Sequence, residues 1–171
     1  SGNMNEIIKG INYAFNQKYN ISGNLNFAKG GEDDGKTLTN GISSTIYSEN
    51  CFVIFEGIDS INTVSVDLGK VYTDLSFVSL NGIYEDGKNA SFDPTKVSIL
   101  VSHDGKQYTP IDVFIIKNKE DDSISSEINE YYCVFPNSIL ARWISVTFVN
   151  ISKYLYISEI KIVIEWYILK E

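Results

Sequence analysis

The chain has 171 residues, and its 14 Lys plus Arg against 22 Asp plus Glu give a formal net charge of −8. This length predicts a single domain that buries a substantial core. The negative charge disfavours nucleic acid and anionic membranes as partners, because both would be repelled. No apolar run approaches the roughly 18–20 residues that a membrane-spanning helix needs. Ser1 to Met4 resemble the remnant of an expression tag, so we expect the domain to occupy 5–171, and the start of the chain says nothing about export.

Alternation of apolar and polar residues, typical of strands with one buried face, recurs along the chain. It predicts strands over 11–15, 64–68, 75–80, 97–101, 106–111, 113–116, 132–135, 144–148 and 160–166. The apolar run CFVIF at 51–55 predicts a central strand covered on two sides. The polar segments 16–44, 81–94 and 117–130 are interpreted as loops. No segment shows a sustained helical period, so the pattern predicts an antiparallel β-sandwich or barrel.

The clearest local signal is a hairpin over 97–111. Apolar residues at 97, 99 and 101 alternate with residues of the opposite face, and Asp104-Gly105 then offers two residues that tolerate positive φ. Such a pair favours a two-residue type I′ turn, after which the chain runs back antiparallel from Lys106 to Ile111. Shorter turns are predicted at Gly69-Lys70 and Pro136-Asn137.

Cys51 and Cys133 both lie in apolar, strand-like runs. Two buried free thiols are one interpretation. The other is a disulfide, which would stabilise the fold by roughly 4 kcal/mol in the chain-entropy model. The sequence leaves both open, and with them the redox compartment.

Several segments, taken in chain order, resemble the discoidin or coagulation factor 5/8 type C family. They are Val66 to Lys70 (VDLGK), Val78 to Leu80, Pro94 with the hairpin from Val97 to Tyr108, Ala141 to Val146 (ARWISV) and Leu155 to Ile162 with its Ser-Glu-Ile core. Ile8 to Tyr13 and Gly35 to Gly41 (GKTLTNG) extend the resemblance over nearly the whole chain, from about Asn5 to Tyr167. It implies an all-β, antiparallel jelly-roll β-sandwich of the galactose-binding-like type, a group that includes many bacterial carbohydrate-binding modules.

The resemblance also implies a structural calcium between the Asp-Gly segment of the family and a glutamate that opens the last strand. The matching residues are Lys36 (through its carbonyl), Thr37, Asn40, Thr45 and Glu159, an all-oxygen set of the kind that calcium prefers. Asn40 stands where the family has a carboxylate, which weakens cation binding, and Asp33 and Asp34 could compensate for the lost charge. The alternative is that Glu159 hydrogen-bonds the loop without a metal.

Sugar recognition in the relatives uses loops at one end of the sandwich, where an aromatic ring stacks on the sugar and polar groups hold its hydroxyls. The matching residues are Tyr47, Asn81, Tyr84, Asp86, Asn89, Phe92 and Tyr154. The arginine often found early in the 81–93 loop is missing, which argues against galactose-type specificity. Packing against the sandwich edge is the alternative role of each aromatic ring, and Trp143 and Trp166 are expected in the core or on a sheet face.

An enzymatic role is not expected. The single histidine, His103, is predicted at an exposed turn, and with two dispersed cysteines it makes neither a zinc site nor a nucleophile–base pair. The paired acids lie side by side on loops, whereas glycoside hydrolysis needs carboxylates that face each other. We therefore expect a non-catalytic carbohydrate-binding module of a larger bacterial protein, secreted or at the cell surface and attached to other domains. The alternative is a protein-interaction domain of the same fold without a sugar site.

Overall fold

The computed structural model describes residues 10–26, 33–42, 51–83, 92–117 and 128–164. Over these ranges the chain forms β-strands and a 3₁₀ turn at Pro94–Lys96. The strands are β1 (Ile11–Asn12), β2 (Tyr19–Ser22), β3 (Val53–Glu56), β4 (Ile61–Ile83), β5 (Ser98–Ser102), β6 (Thr109–Ile111), β7 (Phe114–Lys117), β8 (Ile128–Val149) and β9 (Tyr154–Ile164). The all-β prediction is confirmed. In the described ranges we find no helix of the length and apolarity needed to cross a membrane.

Two long strands, β4 and β8, pair antiparallel over almost their full length and pass through both layers of a sandwich. The first half of β4 and the second half of β8 form one layer with β2 on one side and β5 and β6 on the other. The second half of β4 and the first half of β8 form the other layer with β9 and β7. The far edge of β9 carries β3 and β1. Every strand pair is antiparallel, as the jelly-roll prediction requires.

The prediction of separate strands at 64–68 and 75–80 was wrong, because β4 continues through the predicted turn at Gly69-Lys70. Successive register shifts between Asp67 and Phe77 let the strand bend there without losing its partner, as β-bulges do. The partner strand β8 likewise continues through Pro136-Asn137. Pro136 falls between the paired positions 134 and 139, so its missing N–H costs no ladder hydrogen bond.

The core lies between the two layers and is built from the alternation seen in the sequence. Inward-facing residues from both layers form one buried apolar cluster, which includes Val64, Val66, Val78, Leu80, Ile99, Cys133, Ile144, Val146, Ile160 and Ile162. The outer face of the second layer is also buried at Phe77, Tyr132, Val134 and Val163. Simple alternation therefore underestimates burial in that layer.

The structure also decides where β1 ends, where the 51–55 strand lies and whether the two cysteines are bonded. β1 ends at Asn12 and not at 15, because the Asn12 side-chain oxygen accepts from the backbone N–H of Ala14 at 3.0 Å and of Ile162 at 3.0 Å and so turns the chain. The 51–55 run becomes β3, buried on both faces as predicted but placed beside β9 at the edge of its layer. Cys51 and Cys133 are free thiols.

Two of the segments that carry the family resemblance are joined by an ion pair. Arg142 Nε donates to Asp67 Oδ1 at 2.8 Å, and Arg142 Nη2 donates to Asp67 Oδ2 at 3.0 Å. This bidentate contact lowers the pKa of Asp67. It links VDLGK to ARWISV beside the bend of β4 and β8, and thus fixes the two long strands where their register shifts.

The hairpin is confirmed, but its turn is longer than predicted. β5 and β6 pair with Val101 opposite Thr109, so six residues, 103–108, connect them in place of a two-residue type I′ turn. Asp104 Oδ1 accepts from the N–H of Lys106 at 2.8 Å and of Gln107 at 3.0 Å. The Asp-Gly signal located the turn, but the capping by Asp104 decides its length.

Gly105 brings this turn onto the partly buried ring of Trp143. Its φ is +75°, and a Cβ built at Gly105 would lie 2.7 Å from Trp143 Cε2. Only glycine therefore fits between the turn and the indole. Trp143 lies on the outer face of its layer, as predicted.

We predict that Gly105→Ala lowers the melting temperature more than Gly35→Ala does. Both glycines have nearly the same positive φ, +75° and +77°, but nothing lies within 4 Å of a Cβ at Gly35. Gly35→Ala should cost only the backbone strain, about 1 kcal/mol, or roughly 2–4 °C for a domain of this size. Equal losses in the two variants, measured by differential scanning calorimetry, would show that the Trp143 contact contributes nothing.

Candidate functional site

One end of the sandwich, here called the loop end, brings together the connections 57–60, 92–97 and 150–153. Gly57 N–H donates to the Lys153 carbonyl at 2.8 Å, and Asn150 N–H donates to the Ser60 carbonyl at 3.0 Å. The last residues of β3 and β4 and the first of β9 reach the same end. The opposite end, here called the hairpin end, carries the β5–β6 turn and the bends of β4 and β8.

The structure places Tyr154 at the loop end, opposite Glu56 of β3. It is partly buried at the start of β9, and its ring meets Tyr156 edge-on with centroids 6.2 Å apart. Lys153 Nζ lies 5.3 Å from the centroid of the Tyr154 ring. The Tyr154 ring therefore has an aromatic side chain and an ammonium group as neighbours.

A polar group that the sequence did not predict, Glu56, lies opposite this ring. Glu56 lies directly opposite Tyr154 in the β3–β9 register, so the two side chains share a face. Glu56 Oε2 accepts from Asn26 Nδ2 at 2.9 Å, and the Glu56 carbonyl accepts from Asn24 Nδ2 at 2.7 Å. Asn24 and Asn26 were hidden in a long polar segment, and no local sequence signal places them against β3.

Phe92 occupies the core and not the surface. It is 6 % exposed and packs on Tyr131 and Phe148 with ring centroids 5.1 and 6.1 Å away. A Cβ at Gly82 would lie 3.0 Å from Phe92 Cγ, so the ring also packs closely on the β4 backbone. Packing is thus the role that the structure supports for Phe92, and we leave it out of the sugar site proposed below.

Asn81 is buried on the outer face of the second layer. It lies opposite both Glu130 and Glu159, which makes a row of three polar residues across β8, β4 and β9. Asn81 Oδ1 has no hydrogen-bond partner within the described structure. Tyr47, Tyr84, Asp86, Asn89 and Thr45 lie outside the described residues, so their roles stay predictions.

The 36–42 loop, which carries three of the implied calcium ligands, lies against β9 at Glu159. Glu159 is fully buried, and its Oε2 accepts from the Gly41 N–H at 2.8 Å. The Leu38 carbonyl accepts from the Ile160 N–H at 2.7 Å, which holds the 36–42 loop against the strand. Glu159 Oε1 has no partner among the described groups. A buried carboxylate oxygen without a donor fits an oxygen-ligated cation such as calcium.

Other polar side chains in and beside the loop are engaged in hydrogen bonds. Asn40 Oδ1 accepts from the Ile42 N–H at 2.9 Å. Asp33 accepts from the Tyr19 hydroxyl at 2.8 Å, and Asp34 accepts from Lys36 N–H at 2.8 Å and from Thr37 Oγ1 at 3.2 Å. Asp33 and Asp34 each hold the loop through at least one oxygen. In the described ranges no three His, Cys, Asp or Glu side chains are grouped as metal ligands would be.

Burial raises the pKa of Glu159 to about 8, although the Gly41 N–H and the nearby Lys161 act against it. Without a cation the carboxyl group is therefore largely protonated at neutral pH. A bound calcium would have to displace this proton, so metal affinity should rise with pH.

The fold matches known carbohydrate-binding modules, whereas no family model and no curated protein matches the sequence. A module named CpGH89CBM32-6 from Clostridium perfringens aligns over 91 % of this chain and 100 % of its own, with a TM-score of 0.53 and 20 % identity. A Streptococcus pneumoniae fucose-binding module aligns over 92 % and 98 %, with a TM-score of 0.58 and 13 % identity. Another C. perfringens module, CpGH89CBM32-5, solved with GalNAc-β-1,3-galactose, aligns over 86 % and 95 %, with a TM-score of 0.57 and 18 % identity. The predicted jelly-roll sandwich is confirmed by these similarities.

We predict that, in a chelating buffer, the melting temperature falls as the pH is raised from about 5 to about 9. A carboxyl whose folded pKa lies above its usual 4.5, here at about 8, contributes stability that is complete below the usual value and is lost as the pH rises through the folded value. Glu159→Gln removes the titrating group and should flatten this part of the profile. Parallel profiles for the two proteins would contradict the assignment to Glu159.

Proposed function

We propose that this chain is a non-catalytic carbohydrate-binding module that recognises glycans through its loop end. The observation that carries the proposal is the placement of Tyr154, flanked by Lys153 and opposite Glu56, at one end of a sandwich shared with carbohydrate-binding modules. An aromatic ring beside hydrogen-bonding groups is the usual arrangement for holding a sugar ring.

The groups at the loop end suit different parts of a sugar. The Tyr154 ring offers a surface for the C–H face of a pyranose. The Glu56 carboxylate accepts hydrogen bonds from hydroxyls, and the Asn24 and Asn26 amides and Lys153 donate them. Tyr47, Tyr84, Asp86 and Asn89 are the sequence-predicted residues that would complete the site.

Charge restricts the class of glycan. The chain carries a formal net charge of −8, and Glu56 puts a carboxylate beside the proposed platform. Sulfated and sialylated glycans would be repelled, so neutral glycans are the favoured ligands. Individual sites of this size bind weakly, and attachment to other domains of a secreted or cell-surface bacterial protein would raise the overall affinity through multivalency.

A glycan array probed with the wild-type chain and with Tyr154→Ala, Tyr154→Phe and Tyr84→Ala tests the proposal. We expect selective binding of neutral glycans by the wild type and by Tyr154→Phe, because the phenyl ring keeps the stacking surface. Tyr154→Ala should lose roughly two- to tenfold in affinity, because aromatic stacking contributes about 0.5–1.5 kcal/mol beyond area burial and about 1.4 kcal/mol corresponds to tenfold. Phe114→Ala, which removes an exposed ring from β7, is the matched control and should bind as wild type.

If the folded wild-type chain binds no glycan on the array, the proposal is overturned and the protein-interaction alternative is favoured. Equal loss in Tyr154→Ala and Phe114→Ala would show that binding does not use the loop end. Circular dichroism of each variant confirms that the fold is intact.

We further propose a structural calcium at the 36–42 loop, with Glu159 as its carboxylate ligand. The support is the buried Glu159 Oε1 that lacks a partner within the described structure, next to a loop rich in oxygen donors. Chelation should then lower the melting temperature by several degrees, and added calcium should restore it. Glu159→Gln should be insensitive to both treatments. If chelator leaves the wild-type melting curve unchanged, the proposed calcium site is contradicted.

A further inference from the structure

A pocket lies at the hairpin end, at the opposite end of the sandwich from Tyr154. Its volume is about 330 Å³, and it is lined by Val101, Ser102, His103, Asp104, Gln107 and Thr109. This volume is at the lower end of the roughly 300–1,000 Å³ of small-molecule sites. No part of the proposed sugar site or calcium site contributes to this hairpin pocket.

The pocket is built on a turn that is fixed without a ligand. Gly105 N–H donates to Ser102 Oγ at 2.9 Å, and Ser102 Oγ donates to Asp104 Oδ1 at 3.0 Å. The same carboxylate oxygen receives the N–H groups of Lys106 and Gln107. Because the turn also packs on Trp143 through Gly105, its geometry does not depend on an occupant.

Several hydrogen-bonding groups in the pocket are left for a ligand. Within the described part of the chain, Asp104 Oδ2, the Gln107 side-chain amide and the Thr109 hydroxyl make no hydrogen bond. His103 Nε2 lies 3.1 Å from the Leu140 carbonyl. A carbonyl only accepts, so Nε2 carries the hydrogen and Nδ1 of the neutral ring is an acceptor. The pocket therefore offers hydrogen-bond acceptors, a side-chain amide and a hydroxyl within the short segment from His103 to Thr109.

This set of groups selects a class of ligand. The backbone N–H groups of Gln107 and Lys106 hold the pKa of Asp104 at about 2, so this carboxylate is negatively charged at neutral pH and disfavours anionic ligands. The lining is largely polar with a single apolar side chain, Val101, which disfavours an apolar ligand. A compact molecule with several hydroxyl groups satisfies these requirements, because each hydroxyl both donates and accepts.

We propose that the hairpin pocket binds one neutral polyhydroxyl unit, such as a hexose, independently of the loop end. The site is open and offers little apolar area, so we expect a dissociation constant on the order of millimolar. Sites at both ends of one sandwich would let the module contact two glycan chains, or two segments of one chain, and so gain affinity through multivalency.

The proposal is tested by titrating the uniformly ¹⁵N-labelled chain with D-galactose, D-glucose and N-acetyl-D-galactosamine, up to tens of millimolar, and following backbone amide shifts. We expect saturable shifts at Ser102, Asp104, Gly105 and Gln107 with at least one of these sugars. The double variant Gln107→Ala/Thr109→Val should lose them, and its fold should be unaffected because both side chains are exposed and unpaired in the described structure. Lys106→Ala, on the same turn but outside the pocket lining, should keep them.

The outcomes separate this site from the loop end. Tyr154→Ala should leave the hairpin shifts intact, so failure of the loop-end proposal would not remove them. Absence of hairpin shifts, shifts that rise linearly without saturation, or shifts retained in the double variant would each overturn the hairpin site. Binding of cationic D-glucosamine without any neutral hexose would overturn the assigned ligand class.

Discussion

The continuous pairing of β4 with β8 is the constraint on which the rest of this structure depends. Both strands exceed twenty residues and serve two layers, so each must bend at the same level of the sandwich. Register shifts between Asp67 and Phe77 let the strands bend while they stay paired on either side. The Asp67–Arg142 pair holds the two strands together beside this bend.

This arrangement fixes where chemistry can occur. Most of the buried apolar side chains lie on the strands, so the polar groups that could bind a ligand lie where the strands end. At the loop end, short β3 places Glu56 across from Tyr154 at the beginning of β9. At the hairpin end, Asp104 organises a turn whose other side chains stay available. The two ends are separated by the whole core, so a ligand at one need not affect the other.

Much of the fold follows from the sequence, because alternation reports directly on which strand face is buried. Predictions failed where long-range contacts decide the outcome. Asn12 ends β1 through a hydrogen bond to a residue 150 positions away. β4 continues past Gly69 because β8 pairs with it on both sides of that residue. Phe92 matched a sugar-binding position by resemblance, yet the space beside Gly82 makes it a core residue. Asn26 joined the candidate site only through its contact with β3.

Affinity electrophoresis of the full chain tests the central claim most directly. Native gels would contain an uncharged galactan, mannan or glucan in turn, with serum albumin as the non-binding reference. If the loop end recognises glycans, at least one uncharged polysaccharide should retard the chain relative to albumin, and free sugar should reverse the retardation. If the mobility of the folded chain relative to albumin is the same with and without each polysaccharide, a carbohydrate-binding function is contradicted.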